Sequence, residues 1–292
     1  MHAYMIIAHS QFALLEKLIK ALDDERNDIF IHIDAKVPDF DFEKFAGLTE
    51  HSRVIFTENR VNITWGDESQ VECEKTLLKC AVSHENPDSP YEYYHLLSGV
   101  DLPIKSNDEI HAFFKENAGK EFVHYSASQV EATSVTRLKY YHFFRKKRNL
   151  FNKILAQIAL KIQILFGVDR LKGKNIKVQK GCNWFSITGD FARYAVSKLG
   201  EYEDVFKRSY CGDEVFIQTL LENSPYSGNL FMPYCNNDHF ACARLIDWQR
   251  GNPYVWRIDD LEEIKASPCM FARKFDENTD VKIIDEVLRM RK

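Results

Sequence analysis

The sequence predicts an α/β fold with a mainly parallel central sheet flanked by helices. Two observations predict it. Short apolar runs suited to buried strands alternate with helically spaced segments over roughly the first 125 residues. A single carboxylate, Asp101, also stands just past the run Tyr91–Ser98, where open α/β sheets collect their ligand loops.

That run organises the chain. Tyr91–Ser106 begins with alternation and turns apolar, as a buried strand does. Gly99 permits a sharp exit and Pro103 has no amide to give a ladder, so the strand ends near Ser98. Ser106 with Glu109 makes a capping box that opens the next helix. Taken alone, Asp101 closes a turn as readily as it holds a ligand.

Upstream, Tyr4–Ala8 reads as a short buried strand, and Ser10 as the cap of a helix carrying Phe12, Leu15, Leu18, Ile19 and Leu22. Asp28–Asp34 is a second strand, in which Ile29, Ile31 and Ile33 alternate with Phe30 and His32. Strands at Val54–Phe56 and Val61–Thr64 and a helix at Glu68–Ser83 lead to the central run. Downstream come a strand at Glu121–Tyr125, an amphipathic helix at Leu150–Phe166, strand character over Lys180–Thr188 and a helix at Phe191–Leu199. Asp213 opens a helix to Leu221 with Phe216, Ile217 and Leu220 inward. Strands at Leu230–Tyr234 and Cys242–Ile246, a helix at Asp259–Ala266, the segment Met270–Phe275 and a terminal helix at Val281–Met290 complete the chain. No repeat or Pro/Gly-rich linker divides it, so one domain is expected: residues 1–125 to bind nucleotide, 126–180 as a basic helical insert, and 181–292 for acceptor and catalysis.

Composition narrows the class. Of the 292 residues 45% are hydrophobic and 28% charged, as in soluble enzymes. Seven cysteines without CxxC spacing argue against a disulfide framework and a zinc ribbon. Met1–Ala8 lacks the basic start and long apolar stretch of a secretory leader, so a reducing, cytoplasmic setting is expected. The net charge of −4 conceals an asymmetry: Ala132–Lys180 has 13 Lys or Arg against one acid, Asp169. A basic, apolar-rich insert on an acidic body is unlike a nucleic-acid binder and suits contact with an anionic membrane, although a solvated helix packed on the enzyme gives the same pattern. No GxGxxG follows the first strand, which excludes a dinucleotide fingerprint there. Asp34 either caps its loop or grips a ribose.

Several stretches in this order resemble one family, the core-2 and I-branching β-1,6-N-acetylglucosaminyltransferases with the related peptide O-xylosyltransferases. They are Ala3–His9 with Asn27–Lys36, Val61–Glu72, His95–Ser106, Gly181–Thr188, Gly212–Phe216, Arg244–Trp248 and Phe271–Asp276. The resemblance implies a GT-A type, Rossmann-like glycosyltransferase fold that uses a UDP-sugar, inverts the anomeric centre and needs no metal. It places Ala8, His9 and Asp34 on the uridine edge, with Ser98, Gly99 and Asp101 near sugar or ribose. Arg244 and Lys274 become the cations that neutralise departing UDP, and Glu214 the base that takes the acceptor proton. Asp213 then caps the helix or orients the site, and Trp184 and Trp65 either stack on sugar or fill the core.

The lone Asp101 agrees with metal independence, since a hard cation wants several oxygen ligands. N-acetylglucosamine is the expected sugar, with xylose or glucuronic acid as alternatives and a non-catalytic carbohydrate binder as the contrasting class. The length and the lack of targeting suggest a bacterial enzyme acting on a glycan, or a lipid-linked glycan, at the inner face of the plasma membrane. The insert over residues 137–180 would hold it there.

Overall fold

The computed structural model describes residues 1–126, 131–147, 149–233 and 238–291. In chain order its elements are β1 (His2–Ala8), α1 (Phe12–Leu22), β2 (Asn27–Ile33), α2 (Phe42–Ala46), β3 (Arg53–Phe56) and α3 (Ser69–Ser83). Next come β4 (Tyr93–Ser98), β5 (Leu102–Pro103), α4 (Asn107–Glu116), β6 (Phe122–Val123), α5 (Glu131–Lys139) and α6 (Leu150–Leu165). The last third holds β7 (Phe185–Thr188), α7 (Gly189–Phe206), α8 (Phe216–Glu222), β8 (Arg244–Ile246), α9 (Leu261–Ala266), β9 (Phe271–Arg273) and α10 (Val281–Met290).

Six strands form the main sheet in the order β3-β2-β1-β4-β7-β6. The first four run parallel, while β7 pairs antiparallel with both β4 and β6. Strand alternation sorts the side chains onto two buried faces. Tyr4, Ile6 and Ala8 of β1 pack with α1, α4 and α10, whereas Ala3 and Met5 pack with α3, α7 and α8. The capping box forms as read: Ser106 Oγ accepts from the Glu109 amide and Glu109 Oε2 from the Ser106 amide at 2.8 Å.

A second, three-stranded sheet decides where the chemistry sits. Its order is β5-β9-β8, so the chain just past Asp101 pairs with a segment about 170 residues later. The Phe275 amide donates to Val100 O at 2.9 Å, and Ile104 to Met270 O at 2.9 Å. These pairings carry Arg273 to the carboxyl end of β4.

Four local expectations fail, each for a visible reason. Ser10 does not cap α1; Gln11 takes that position in a left-handed conformation (φ 54) with no side-chain bond. Val61–Thr64 is not a strand, because its backbone is held by β2 instead: the Val61 amide donates to His32 Nε2 at 2.9 Å. Asp213 does not begin or cap a helix; Gly212–Glu214 forms a short 3-10 turn, and α8 starts at Phe216 without a side-chain cap. Leu230 makes only an isolated bridge with Glu121, and Tyr234, the end of that expected strand, lies outside the described residues.

Candidate active site

At the carboxyl ends of β1, β2 and β4, backbone contacts are close enough to dictate residue type. The Gly99 amide donates to Ile7 O at 2.9 Å, and a Cβ on Gly99 would lie 3.0 Å from Ala8 Cβ. Glycine is what lets the loop after β4 lie on the end of β1. Beside them, the Asp34 amide donates to Ala8 O at 3.0 Å. The Asp34 carboxylate is buried and accepts from the Lys36 amide at 2.9 Å, with Lys36 Nζ at 3.6 Å. His9 is exposed.

Asp101 is buried, and its carboxylate is engaged on both oxygens. It accepts from the Ser98 amide (2.9 Å) and Ser98 Oγ (2.8 Å), closing its own loop. Arg273 Nη1 stands 3.3 Å away, and the same guanidinium lies 4.0 Å from the centre of the Trp184 ring. Burial pulls the Arg273 pKa down, and Asp101 opposes that pull. Trp184 is itself buried, so its ring supports a cation rather than presenting an open face.

The cations fall differently from the expectation for Arg244. That residue is 1% exposed and inside the protein. Its guanidinium donates to Ser186 Oγ (2.7 Å), Phe185 O (2.7 Å), Leu96 O (3.0 Å) and Cys242 O, tying β4, β7 and the lead-in to β8 together. Burial lowers its pKa. Four of its N–H directions are spent on the protein, only Nε is left without a partner, and the whole group is enclosed, so the structure does not present Arg244 to the open site. Lys274 is half-buried, with its backbone held by Tyr254 and Trp256 and no ion-pair partner for its ammonium among the described residues. Arg273, the residue beside Asp101, was not singled out from the sequence. It stands in the quoted run Phe271–Asp276, one position before the lysine that was.

Glu214 lines a cavity of about 890 Å³ with Lys180, His124, Cys182, His239, Trp248 and others. Its carboxylate, a third exposed, meets Arg137 Nη1 at 2.8 Å and Lys180 Nζ at 3.2 Å. Asp213 turns the other way. It is buried, accepts from Gln70 Nε2 at 2.7 Å on one oxygen, and has no partner on the other. Burial, and then the charge of Glu214, push its pKa up to about 7. Behind it the wholly buried Glu74 is raised too, by burial and then by Asp213.

Glycine again sets the geometry: a Cβ on Gly181 would fall 1.6 Å from His124 O, and the Gly181 amide donates to Glu214 O at 2.9 Å. Residues 180–184 therefore link the two clusters, lining the Glu214 cavity at one end and supporting Arg273 at the other. Trp256 links them as well, since it lines the cavity and its Nε1 donates to Arg273 O at 2.9 Å. Trp65 is not part of this site. It is 57% exposed in a separate cleft of about 250 Å³ with Phe144, Lys153 and Tyr210.

Comparison with known proteins places this geometry. Residues 2–279 match the model of the Core-2/I-Branching enzyme family. The chain belongs to the Core-2/I-Branching enzyme family. Among individual relatives, it is 24% identical to mouse xylosyltransferase 2 over 97% of its own length and 33% of that protein's. It is also 24% identical to human xylosyltransferase 1, over 98% of this chain and 30% of that one. The chain thus spans about a third of the length of these relatives. The crystal structure of apo mouse xyloside xylosyltransferase 1 superposes at a TM-score of 0.38 and 10% identity, covering 96% of this chain and 99% of that one, a level that carries no further inference.

Proposed function

We propose that this member of a glycosyltransferase family transfers a sugar from a UDP-sugar to a glycan hydroxyl with inversion, in a GT-A type site. One observation supports the reading above the others: the Arg273–Asp101 pair at the carboxyl end of β4 is contiguous with the cavity on which Glu214 stands. A leaving diphosphate needs preorganised positive charge. Arg273 and the neighbouring Lys274 take that role here, in place of Arg244. Glu214 faces the cavity as the acceptor's base, positioned by Arg137 and Lys180. Asp213, turned inward, positions the turn that carries it.

Metal independence rests on the donor set. Asp101 is a single carboxylate already bonded to Ser98 and faced by a guanidinium, which is a poor beginning for a hard-cation site. N-acetylglucosamine is the proposed sugar. The names of the relatives favour one alternative donor, UDP-xylose.

The test is UDP release across a panel of UDP-sugars, with and without EDTA. Release persisting in EDTA with one preferred donor is expected; loss on chelation with recovery on adding manganese would overturn the metal-free reading. Glu214→Gln should lower turnover by about 10²–10⁴-fold with UDP binding retained. A variant that keeps its full rate rules Glu214 out as base.

The acceptor side extends the proposal to a lipid surface. Helix α6 exposes Leu150, Phe151, Ile154, Ile158, Ile162 and Leu165, and its only charged residues are Lys153 and Lys161. An outward apolar stripe flanked by Lys146 and Lys147 fits an anionic membrane, with the helix lying in the interface. No helix among the described residues is long and apolar enough to cross a bilayer. A lipid-linked glycan at the inner face of the plasma membrane is the matching acceptor, and a cytoplasmic, peripheral location goes with it.

A further inference from the structure

One wall of the Glu214 cavity gathers soft-metal ligands from three separate stretches of chain. His124 follows β6, Cys182 precedes β7 and His239 stands on a 3-10 turn just before β8; Cys242, at the end of that turn, is buried behind them. One ligand atom each from His124, Cys182 and His239 lies within 4.8 Å of the other two. The sulfurs of Cys182 and Cys242 are 3.5 Å apart. Tetrahedral zinc, with bonds of about 2.3 Å to sulfur and 2.0–2.1 Å to nitrogen, spaces its ligand atoms roughly 3.4–3.8 Å apart. The three clustered atoms, within 4.8 Å of one another, lie about 1 Å beyond that spacing, so small side-chain adjustments would close it around an ion.

The surroundings hold these groups in place. The His124 and His239 rings stack at 4.7 Å with 17° between their planes. His124 Nδ1 accepts from the Cys182 amide at 3.1 Å, and Cys242 Sγ donates to His239 O at 3.1 Å. A metal would exchange the amide bond at His124 for a coordinate bond. Thiolate and imidazole suit zinc-class cations, whereas magnesium and manganese prefer carboxylate, carbonyl and water oxygens. This donor set therefore differs in kind from the oxygen site that Asp101 lacks.

We infer that His124, Cys182 and His239 form a three-ligand zinc-class cation site on the wall of this cavity, with the Cys242 thiol packed behind Cys182. Its occupancy pins the end of β6, the lead-in to β7 and the turn before β8 to one another. The inference does not depend on which sugar is transferred or on Glu214 being the base, and its readout is not activity.

The experiment uses the full chain, stripped of metal and kept in a non-chelating phosphine reductant. Zinc is titrated in competition with a chromophoric chelator, and thermal unfolding is followed in parallel. One equivalent of zinc per chain is expected, with a rise in Tm that equimolar magnesium does not give, since a ligand of the native state alone stabilises it. Cys182→Ser and His239→Ala should each weaken zinc binding by at least about tenfold, the loss that even outer-shell partners can produce. Cys80→Ser, on α3 away from the cluster, should keep wild-type affinity. Sub-stoichiometric binding by the wild type, an equal response to magnesium, or unchanged affinity in both ligand variants would each overturn the assignment.

Discussion

At the carboxyl end of β4 and behind it, Asp101 and Arg244 lie inside with fixed partners, whereas along α6 the charges and the large apolar side chains both lie outside. Arg244 and Asp101 are each 1% exposed, Asp101 bonded to Ser98 and Arg244 to Ser186 and the carbonyls of Leu96 and Phe185. Phe151 and Leu165 on α6 are 67% and 81% exposed. Of the helix only Ala156 and Gln163 are buried, with Leu155, Ala159 and Leu160 half-buried on the same side, and Gln163 exchanges two 2.8 Å bonds with the Tyr141 backbone. In the first region burial makes each polar contact costly to lose. In the second, nothing in the fold depends on the apolar stripe, so its chemistry is available to a partner.

The largest effect should come from Arg244→Leu. It leaves the carbonyls of Leu96, Phe185 and Cys242 and the Ser186 hydroxyl without their donor in the interior. A destabilisation of about 3–5 kcal/mol is expected from denaturant unfolding. A folded Arg244→Leu protein of unchanged stability that has lost UDP binding would instead restore Arg244 to the diphosphate and erase the contrast with Arg273.

The next effect should appear in the pH dependence of stability. The Asp213 pKa rises from its ordinary 3.8 to about 7 on folding, so the native state holds a proton that the unfolded chain has released. The stabilisation is complete below about pH 4 and is lost as pH rises through about 7. Glu74 and Glu121, also raised by burial, act in the same direction. Asp213→Asn removes one share. It should match the wild type near pH 4 and exceed it at pH 8 by something on the order of 4 kcal/mol in denaturant titrations. Equal stabilities at pH 8 would mean that Asp213 is hydrated and that the Glu214 turn is not backed by a buried acid.

The sequence made the first region's frame visible more readily than its charges. β1, β2, β4, the Ser106–Glu109 box and α10 depend on neighbours within a few residues, so pattern and capping reveal them. Arg273 depends on β5 pairing with β9, and nothing local to either strand announces that contact. The enclosure of Arg244 is invisible in the sequence, since arginine is rarely buried and only the assembled sheets supply the carbonyls that accept it there. A motif drew attention to Glu214, while its place on the cavity wall and the inward turn of Asp213, which rests on Gln70 of α3, needed the structure. The second region was the easier to read: the charge count alone marked the insert, and only the outward direction of its stripe required the structure.

That direction gives the smallest expected change in stability and the most discriminating test of the contrast. Ile154 and Ile158 are each about half exposed and belong to neither core cluster, so replacing both with serine leaves the core packing untouched. Stability should stay within about 0.5 kcal/mol of the wild type, as for ordinary surface substitutions. Co-sedimentation with vesicles rich in anionic lipid at low salt should nevertheless fall sharply, with little binding to zwitterionic vesicles by either protein. Raising the salt should weaken the wild-type interaction, because Lys146, Lys147, Lys153 and Lys161 supply a screened attraction in addition to the apolar one. If the double variant loses several kcal/mol while vesicle binding is unchanged, the stripe belongs to the fold after all, and α6 is a packed helix like the others.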